Sequence, residues 1–178
     1  MELSNLLCQP DIDWARILAL VPELTPTVGF DQHNVHHCFD VWEHTRRCVL
    51  HTPPEPVLRL AALFHDIGKP QCFRLDERGV GHAYGHARVS ADLAREILGR
   101  FGADPRTIDR VWLLIDRHDM QIQLEYKYVR RAMLRLGEAA FWQLVRLKRA
   151  DNLAQAPAYH HRQAYYDELE AIAKTVVP

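Results

Sequence analysis

The sequence predicts an all-α protein, a compact bundle of about seven to eight helices with one short hairpin or loop near residues 72–83. Apolar residues recur at helical spacing along almost the whole chain. Proline, glycine and capping residues divide this pattern into segments of ordinary helix length. With 178 residues, of which 48% are hydrophobic and 25% charged, the chain is long enough to bury the core of one domain.

Three helices are predicted in the first part of the chain. Asp11 is placed to cap the first helix. Asp40 begins the second, with Glu43 three residues later, which is the signature of a capping box. The third helix is predicted over residues 57–67, and Gly68 suits the position just past its end.

The later part of the chain repeats the helical pattern after the predicted hairpin. A helix follows over about residues 84–101. Asp104 and Pro105 then provide a cap and a proline at the first helical position, and that helix ends near His118. Three further helices fit residues 126–136, 138–152 and 160–176.

Charge and cysteine content exclude several classes of protein. Lys and Arg number 22 and Asp and Glu number 23, which argues against a broad basic surface for duplex nucleic acid. The four cysteines lack CxxC spacing and are predicted to be free thiols in a reducing cytosol. No apolar run approaches the roughly 18 residues of a membrane span, and no signal peptide is recognisable. We expect a cytoplasmic protein without a membrane partner.

Histidines and aspartates recur on successive predicted helices, and their order predicts a metal site. The set is His44, His65, Asp66, His86, His118 and Asp151. Imidazole and carboxylate together suit first-row transition metals. Lys69 lies one turn beyond the His-Asp pair, where a lysine suits a phosphate oxygen. Taken singly, each residue has an ordinary alternative, because a lone histidine on a half-apolar helix is more often a packing or capping residue.

The segment FHDIGKP and its flanking candidate ligands resemble the HD-domain superfamily of metal-dependent phosphohydrolases. The resemblance spans roughly residues 34–155. The stretches LRLAALFHDIGKP, GHARVSA and RADNLAQ are similar to the HD domain that follows the polymerase region in bacterial tRNA nucleotidyltransferases. We find no glycine-serine turn followed by a paired-aspartate strand. We therefore expect a stand-alone HD domain over residues 1–178, with its core at 34–155 and a closing helix at 160–176.

The resemblance implies that each residue of the set is a metal ligand. A first metal is expected on His44, His65, Asp66 and Asp151. His86 and His118 match the extra pair that holds a second metal, with Asp66 bridging the two. The implied cofactor is one or two divalent ions of Fe, Mn, Ni, Co or Zn, with the dinuclear form favoured. Because some HD proteins use the extra histidines to hold phosphate, the single-metal alternative stays open.

The implied activity is hydrolysis of a phosphomonoester or phosphodiester through metal-activated water. Asp66 and Lys69 are the expected catalytic residues, and the substrate is a small phosphorylated molecule such as a nucleotide or an RNA end. The predicted phosphate contacts are Lys69, His37, His82 and Arg88. Two alternatives stay open, namely a di-iron oxygenase that cleaves C–C or C–P bonds and a non-catalytic, nucleotide-binding sensor domain.

Overall fold

The computed structural model describes residues 2–34 and 38–176, which form ten α-helices, two short 3-10 helices and one two-stranded hairpin. The helices are α1 (Glu2–Leu7), α2 (Trp14–Leu20), α3 (Val41–His51), α4 (Pro56–Phe64), α5 (Lys69–Cys72), α6 (His86–Arg100), α7 (Pro105–Arg117), α8 (Tyr126–Leu136), α9 (Glu138–Leu153) and α10 (Gln163–Val176). The 3-10 helices are Pro22–Thr27 and Pro157–Arg162, and the strands are β1 (Arg74–Leu75) and β2 (Gly81–His82).

The predicted all-α class is confirmed, with more helices than expected in the described residues. The additional helices α1 and α5 have six and four residues, too few for an apolar period to be recognised. Helix α8 has the predicted bounds, and α9 extends one residue further than predicted. The closing helix begins later than expected, because the residues before Gln163 form a 3-10 helix.

Aspartate side chains cap three of the helices. Asp40 and Asp104 each accept a hydrogen bond from the backbone N–H three residues on, at 2.6 and 3.0 Å, as predicted. The cap of α2 is Asp13, and the prediction of Asp11 was wrong because Asp13 directly precedes the first helical residue. In a capping box the Glu43 side chain would also accept a hydrogen bond from the backbone N–H of Asp40. Instead, the Glu43 carboxylate accepts hydrogen bonds from two arginines of its own helix.

Helix α4 lies at the centre of the bundle. Residues 58–64 are all buried, and the helix packs against α1, α3, α6, α7 and α9. Its buried Arg59 donates hydrogen bonds to the carbonyl oxygens of Leu7 and Thr52, at 2.6 and 3.2 Å. These carbonyls lie at the ends of α1 and α3, so one guanidinium satisfies groups that helix termini leave unpaired. A second apolar cluster, which includes Phe141 and Leu169, joins α8, α9 and α10.

The central helix ends earlier than predicted. Helix α4 stops at Phe64, residues 65–68 form a turn, and α5 begins at Lys69. Gly68 has φ −84°, so a left-handed helix end is not the reason for glycine here. A Cβ at this position would lie 2.9 Å from the backbone nitrogen of Ser90 on α6. Glycine therefore allows the turn that carries His65 and Asp66 to approach α6 closely.

The segment predicted as a short hairpin or loop forms a short antiparallel pair of strands. Arg74 lies opposite His82, and Leu75 lies opposite Gly81. The Gly81 N–H donates to the carbonyl oxygen of His33 at 2.8 Å, which ties the hairpin to the segment before α3. Gly81 also lines the cavity described below.

Replacing Gly81 with alanine is expected to destabilise the hairpin and the segment before α3 that contacts it. The new Cβ would lie 2.1 Å from the carbonyl oxygen of Gln32, so the backbone must move. We expect a loss of about 1–3 kcal/mol in the free energy of unfolding, measured by urea denaturation. Gly99→Ala is the control, since a Cβ there meets nothing within 4 Å and alanine favours the helix. Equal urea midpoints for Gly81→Ala and the parent would contradict this packing.

Two further sequence expectations concern the cysteines and the membrane. Cys8, Cys38, Cys48 and Cys72 are free thiols, as predicted. Within the described residues, the helices all fall short of the length and apolar character that a membrane span requires.

Candidate metal centre

Six side chains from five parts of the chain converge beside the end of the central helix. His44 lies on α3, His65 and Asp66 lie on the turn after α4, and His86 is the first residue of α6. The remaining two are His118, which follows α7 directly, and Asp151 on α9. The structure thus brings together all six residues that the sequence suggested as ligands.

The Asp66 carboxylate lies between two pairs of histidines. Its Oδ2 atom is 3.4 Å from Nε2 of His44 and 3.2 Å from Nε2 of His65. Its Oδ1 atom is 3.1 Å from Nε2 of His86 and 3.8 Å from Nε2 of His118. Each oxygen therefore faces a different pair, which is the arrangement that a carboxylate bridging two metal ions requires.

Backbone carbonyls fix the orientation of all four imidazole rings. The Nδ1 atoms lie 2.6–3.2 Å from carbonyl oxygens, which belong to Ala154, Ala62, Ala83 and Ile115. A carbonyl only accepts, so each Nδ1 carries a proton and each neutral ring presents its Nε2 lone pair inward. Supporting hydrogen bonds of this kind accompany most metal-bound histidines.

The contacts between the rings call for a cation. The Nε2 atoms of His44 and His65 are 3.2 Å apart, as are those of His86 and His118. Two lone pairs facing each other at this distance repel, and a positive ion or a proton between them removes the repulsion. Asp151 adds a carboxylate oxygen 3.1 Å from Nε2 of His44.

Asp66 itself is an incompletely satisfied buried group. It is 1% exposed, and neither of its oxygens accepts a well-aligned hydrogen bond from a described residue. A buried carboxylate in this state is costly unless a cation compensates it. The Lys69 ammonium lies 2.7 Å from Oδ2, whereas the described ion-pair partners of Oδ1 are the imidazoles of His86 and His118. Its oxygens belong to two groups of donor atoms, each within 4.8 Å, formed with His44 and His65 and with His86 and His118. The residues therefore fit a metal at either group.

The individual histidines differ in their electrostatics, and the direction of the pKa shift does not divide them by pair. For His86, burial lowers the pKa, but the Asp66 carboxylate outweighs burial and raises it. Burial lowers the pKa of His65, but the Asp66 carboxylate outweighs burial and raises the pKa to about 9. Burial raises the pKa of Asp66, while His65 and Lys69 outweigh it and hold that pKa well below the usual range. Burial also lowers the pKa of His118, here to about 4. Without metal, the His65 side retains a proton that metal binding must displace.

Lys69 lines an open cavity together with several of the proposed ligands. Its Nζ atom is 2.7 Å from Oδ2 of Asp66 and donates to Oε1 of Gln32 at 2.8 Å. The cavity has a volume of about 310 Å³. Other residues that line it are Phe30, Phe73, His82, Tyr84, Asp119 and Gln155. A positive charge thus lies in the wall of the cavity, beside Asp66.

Of the other three predicted phosphate contacts, one lines the cavity, one does not, and one lies outside the described residues. His82 lines the cavity, and its Nε2 atom is 3.0 Å from Oδ2 of Asp76. Arg88 is not brought to the cavity, because it binds Asp116 at 2.8 Å and lies over the Trp112 ring. His37 lies outside the described residues.

Sequence reasoning missed two residues that act on the second histidine pair. Asp119 has oxygens 3.5 Å from Nε2 of His86 and 3.4 Å from Nε2 of His118, and its side chain is 60% exposed. Its signal was present, since His118 and Asp119 repeat the His-Asp adjacency of residues 65–66. Lys148 is buried and donates to the carbonyl oxygen of His118, and burial lowers the pKa of its ammonium.

Comparison with protein families supports this interpretation of the centre. The model of the HD-domain family matches residues 34–172, which is most of the chain. The chain belongs to the HD-domain family. The predicted resemblance is therefore confirmed, and the match continues past the predicted core boundary at residue 155 into α10. Members of this family bind divalent metals, in agreement with the two donor groups.

Two curated relatives are tRNA nucleotidyltransferases. A CC-adding tRNA nucleotidyltransferase of Thermus thermophilus is 36% identical over 99% of this chain and 44% of its own length. An A-adding tRNA nucleotidyltransferase of Deinococcus radiodurans is 34% identical over 77% of this chain and 35% of its own length. The HD-domain chain thus spans less than half of either relative.

Proposed function

We propose that this HD-domain chain is a metal-dependent phosphohydrolase whose substrate is a nucleotide or an RNA end. The observation that carries the proposal is the position of Asp66, with one oxygen toward each histidine pair and Lys69 beside it. Ligands of this kind hold ions that, when bound, lower the pKa of water and polarise a phosphoryl oxygen. We propose either one or two ions, with two favoured by the two donor groups.

The side chains around the ligands contribute charge and hydrogen-bonding groups to phosphoryl transfer. The Lys69 ammonium is fixed by Asp66 and Gln32, so it needs little reorganisation to contact a phosphoryl oxygen. Its positive charge stabilises the negative charge that develops on those oxygens in the transition state. His82, at the same cavity, offers a second nitrogen to the phosphate or its ester group.

The size of the cavity supports a small substrate. Its volume of about 310 Å³ lies at the lower end of the range for small-ligand sites, roughly 300–1,000 Å³. The names of the two relatives suggest the substrate class, because both act on tRNA. Since the chain covers less than half of each relative, an RNA end or a nucleotide is a proposal for this chain. A cytoplasmic location stays a prediction.

The test is a panel of phosphoesters supplied with one metal at a time. The substrates are p-nitrophenyl phosphate, its bis-ester and 2′,3′-cyclic AMP, and the metals are Mn²⁺, Ni²⁺, Co²⁺, Fe²⁺ and Zn²⁺. We expect turnover that depends on added metal and is abolished by EDTA. Oxygen consumption by the iron-loaded chain without phosphoester turnover would favour the oxygenase alternative. Nucleotide binding without turnover under any condition would favour the sensor alternative.

A further inference from the structure

An exposed aromatic ring lies at the mouth of the cavity. Tyr84 is 82% exposed, the largest exposed fraction among the exposed large hydrophobic residues described. It lines the same cavity as Asp66 and Lys69. Tyr84 also lies two residues before His86, so the Cα atoms of the two residues are no more than about 7 Å apart.

This ring is held in place although it is exposed. It stacks on the imidazole of His82, with ring centroids 5.2 Å apart and an angle of 7° between the planes. His82 is in turn held by Asp76, whose carboxylate also accepts the backbone N–H groups of Arg78 and Val80 at 2.9 Å. The hairpin turn therefore fixes the imidazole, and the imidazole supports one face of the Tyr84 ring. The exposure of the residue leaves the opposite face open to solvent.

The other aromatic rings of the cavity are already engaged. Phe30 and Phe73 pack edge to face on each other, with centroids 5.1 Å apart. Both are half-buried and connect the hairpin to the segment before α3. Among the described rings of this cavity, Tyr84 is therefore the best placed to receive a flat ligand group from solvent.

We propose that Tyr84 stacks on the base of a nucleotide whose phosphate lies at Lys69 and the histidine ligands. An aromatic platform binds every base, because every base has a π-face, so this contact selects nucleotides over other phosphoesters without fixing which base. The inference rests on the proposed function and deepens it, since it assigns the substrate class to a particular residue. Tyr84 is a positioning residue in this account, because it contacts the base and not the reacting phosphate, and His82 supports its ring.

The test compares two ligands that differ only by the base. Binding of adenosine 5′-monophosphate and of ribose 5-phosphate is measured by calorimetry on the full chain, with Mn²⁺ and again with EDTA. In the parent we expect the ligand with the base to bind about tenfold more tightly or better. Tyr84→Ala should bring this ratio to near one, and His82→Ala should reduce it. Tyr84→Phe should preserve it, because stacking does not need the hydroxyl.

Tyr126 provides the matched control. It is another exposed tyrosine, at the start of α8, and it does not line the cavity. Tyr126→Ala should keep the parental ratio. A ratio near one in the parent with and without Mn²⁺, or an unchanged ratio in Tyr84→Ala, would overturn the inference. Binding does not need turnover, so a preference for the base without hydrolysis would reject the proposed function and keep this inference. Hydrolysis without a preference for the ligand that carries the base would keep the proposed function and reject this inference.

Discussion

Replacing Asp66 with asparagine is expected to remove metal from both donor groups and to lower phosphoester hydrolysis by about 1,000-fold or more. Asparagine keeps the volume of the side chain but loses the charge and one of the two oxygens that face the histidine pairs. Loss of a single electrostatic donor already costs roughly 10²–10³ in turnover in other enzymes, and Asp66 would serve two ions. Metal content and turnover are measured on the same sample.

Asp116 offers the matched control for this substitution. It is also a buried carboxylate, 6% exposed at its side chain, and it pairs with Arg88 and Arg117 away from the cavity. Asp116→Asn should lower stability while retaining metal and turnover. Circular dichroism should show that both variants keep their helices. Asp66 lies on a turn, and asparagine at residue 116 keeps the size of the aspartate side chain. Full metal content in Asp66→Asn would show that the ligand assignment is wrong.

Replacing His118 with alanine is expected to remove one metal and to leave the other. His118 faces Oδ1 of Asp66 and Nε2 of His86, so its loss removes a ligand from the second donor group and none from the first. We expect the metal content to fall from two ions per chain to one, and turnover to fall by about 100-fold. The measurement is metal analysis after dialysis, together with steady-state kinetics on the best substrate of the panel.

The same variant separates the two-metal from the phosphate-binding interpretation. If His118 holds phosphate, the metal content stays at one ion in parent and variant, and the main kinetic change is a higher KM. His51→Ala controls for the loss of a histidine, because His51 is exposed at the end of α3 and does not line the cavity. It should leave both metal content and kinetics unchanged.

The main features of the centre could be predicted because histidines and aspartates recur on successive helical segments, and three of them lie directly after a helix. The pair His65-Asp66 follows an apolar helix and precedes Gly68, and His118 ends another helix. Helical segments and their breaks then limit where those residues can lie. The turn at residues 65–68 could not be predicted in detail, because it depends on the close approach of Gly68 to Ser90 on a later helix.

The period of the α-helix explains why Arg88 does not reach the cavity. Successive residues on a helix point about 100° apart, so Arg88 points about 200° away from His86 on α6. Ser90, four residues after His86, returns to the same face and accepts a hydrogen bond from the Gly68 N–H. The sequence analysis predicted Arg88 as a phosphate contact, whereas the period of the helix places it toward Asp116 and Trp112.

Asp119 and Tyr84 were missed for a different reason. Both are exposed residues next to a helix boundary, where polar and aromatic side chains most often face solvent without a partner. Only the folded chain shows that Asp119 lies beside His86 and His118, and that Tyr84 stacks on His82. The contact between Asp119 and His86 joins segments distant in sequence and leaves no periodic pattern, although the adjacency of His118 and Asp119 was a signal in the sequence.

The most direct test of the metal centre is the number of ions that the parent chain binds. The chain is stripped with chelator, dialysed against Mn²⁺ or Fe²⁺, and assayed by elemental analysis beside Asp66→Asn. The account predicts about two ions per parent chain and close to none in the variant. A parent chain that binds no ion, or a variant that binds as many ions as the parent, would contradict it.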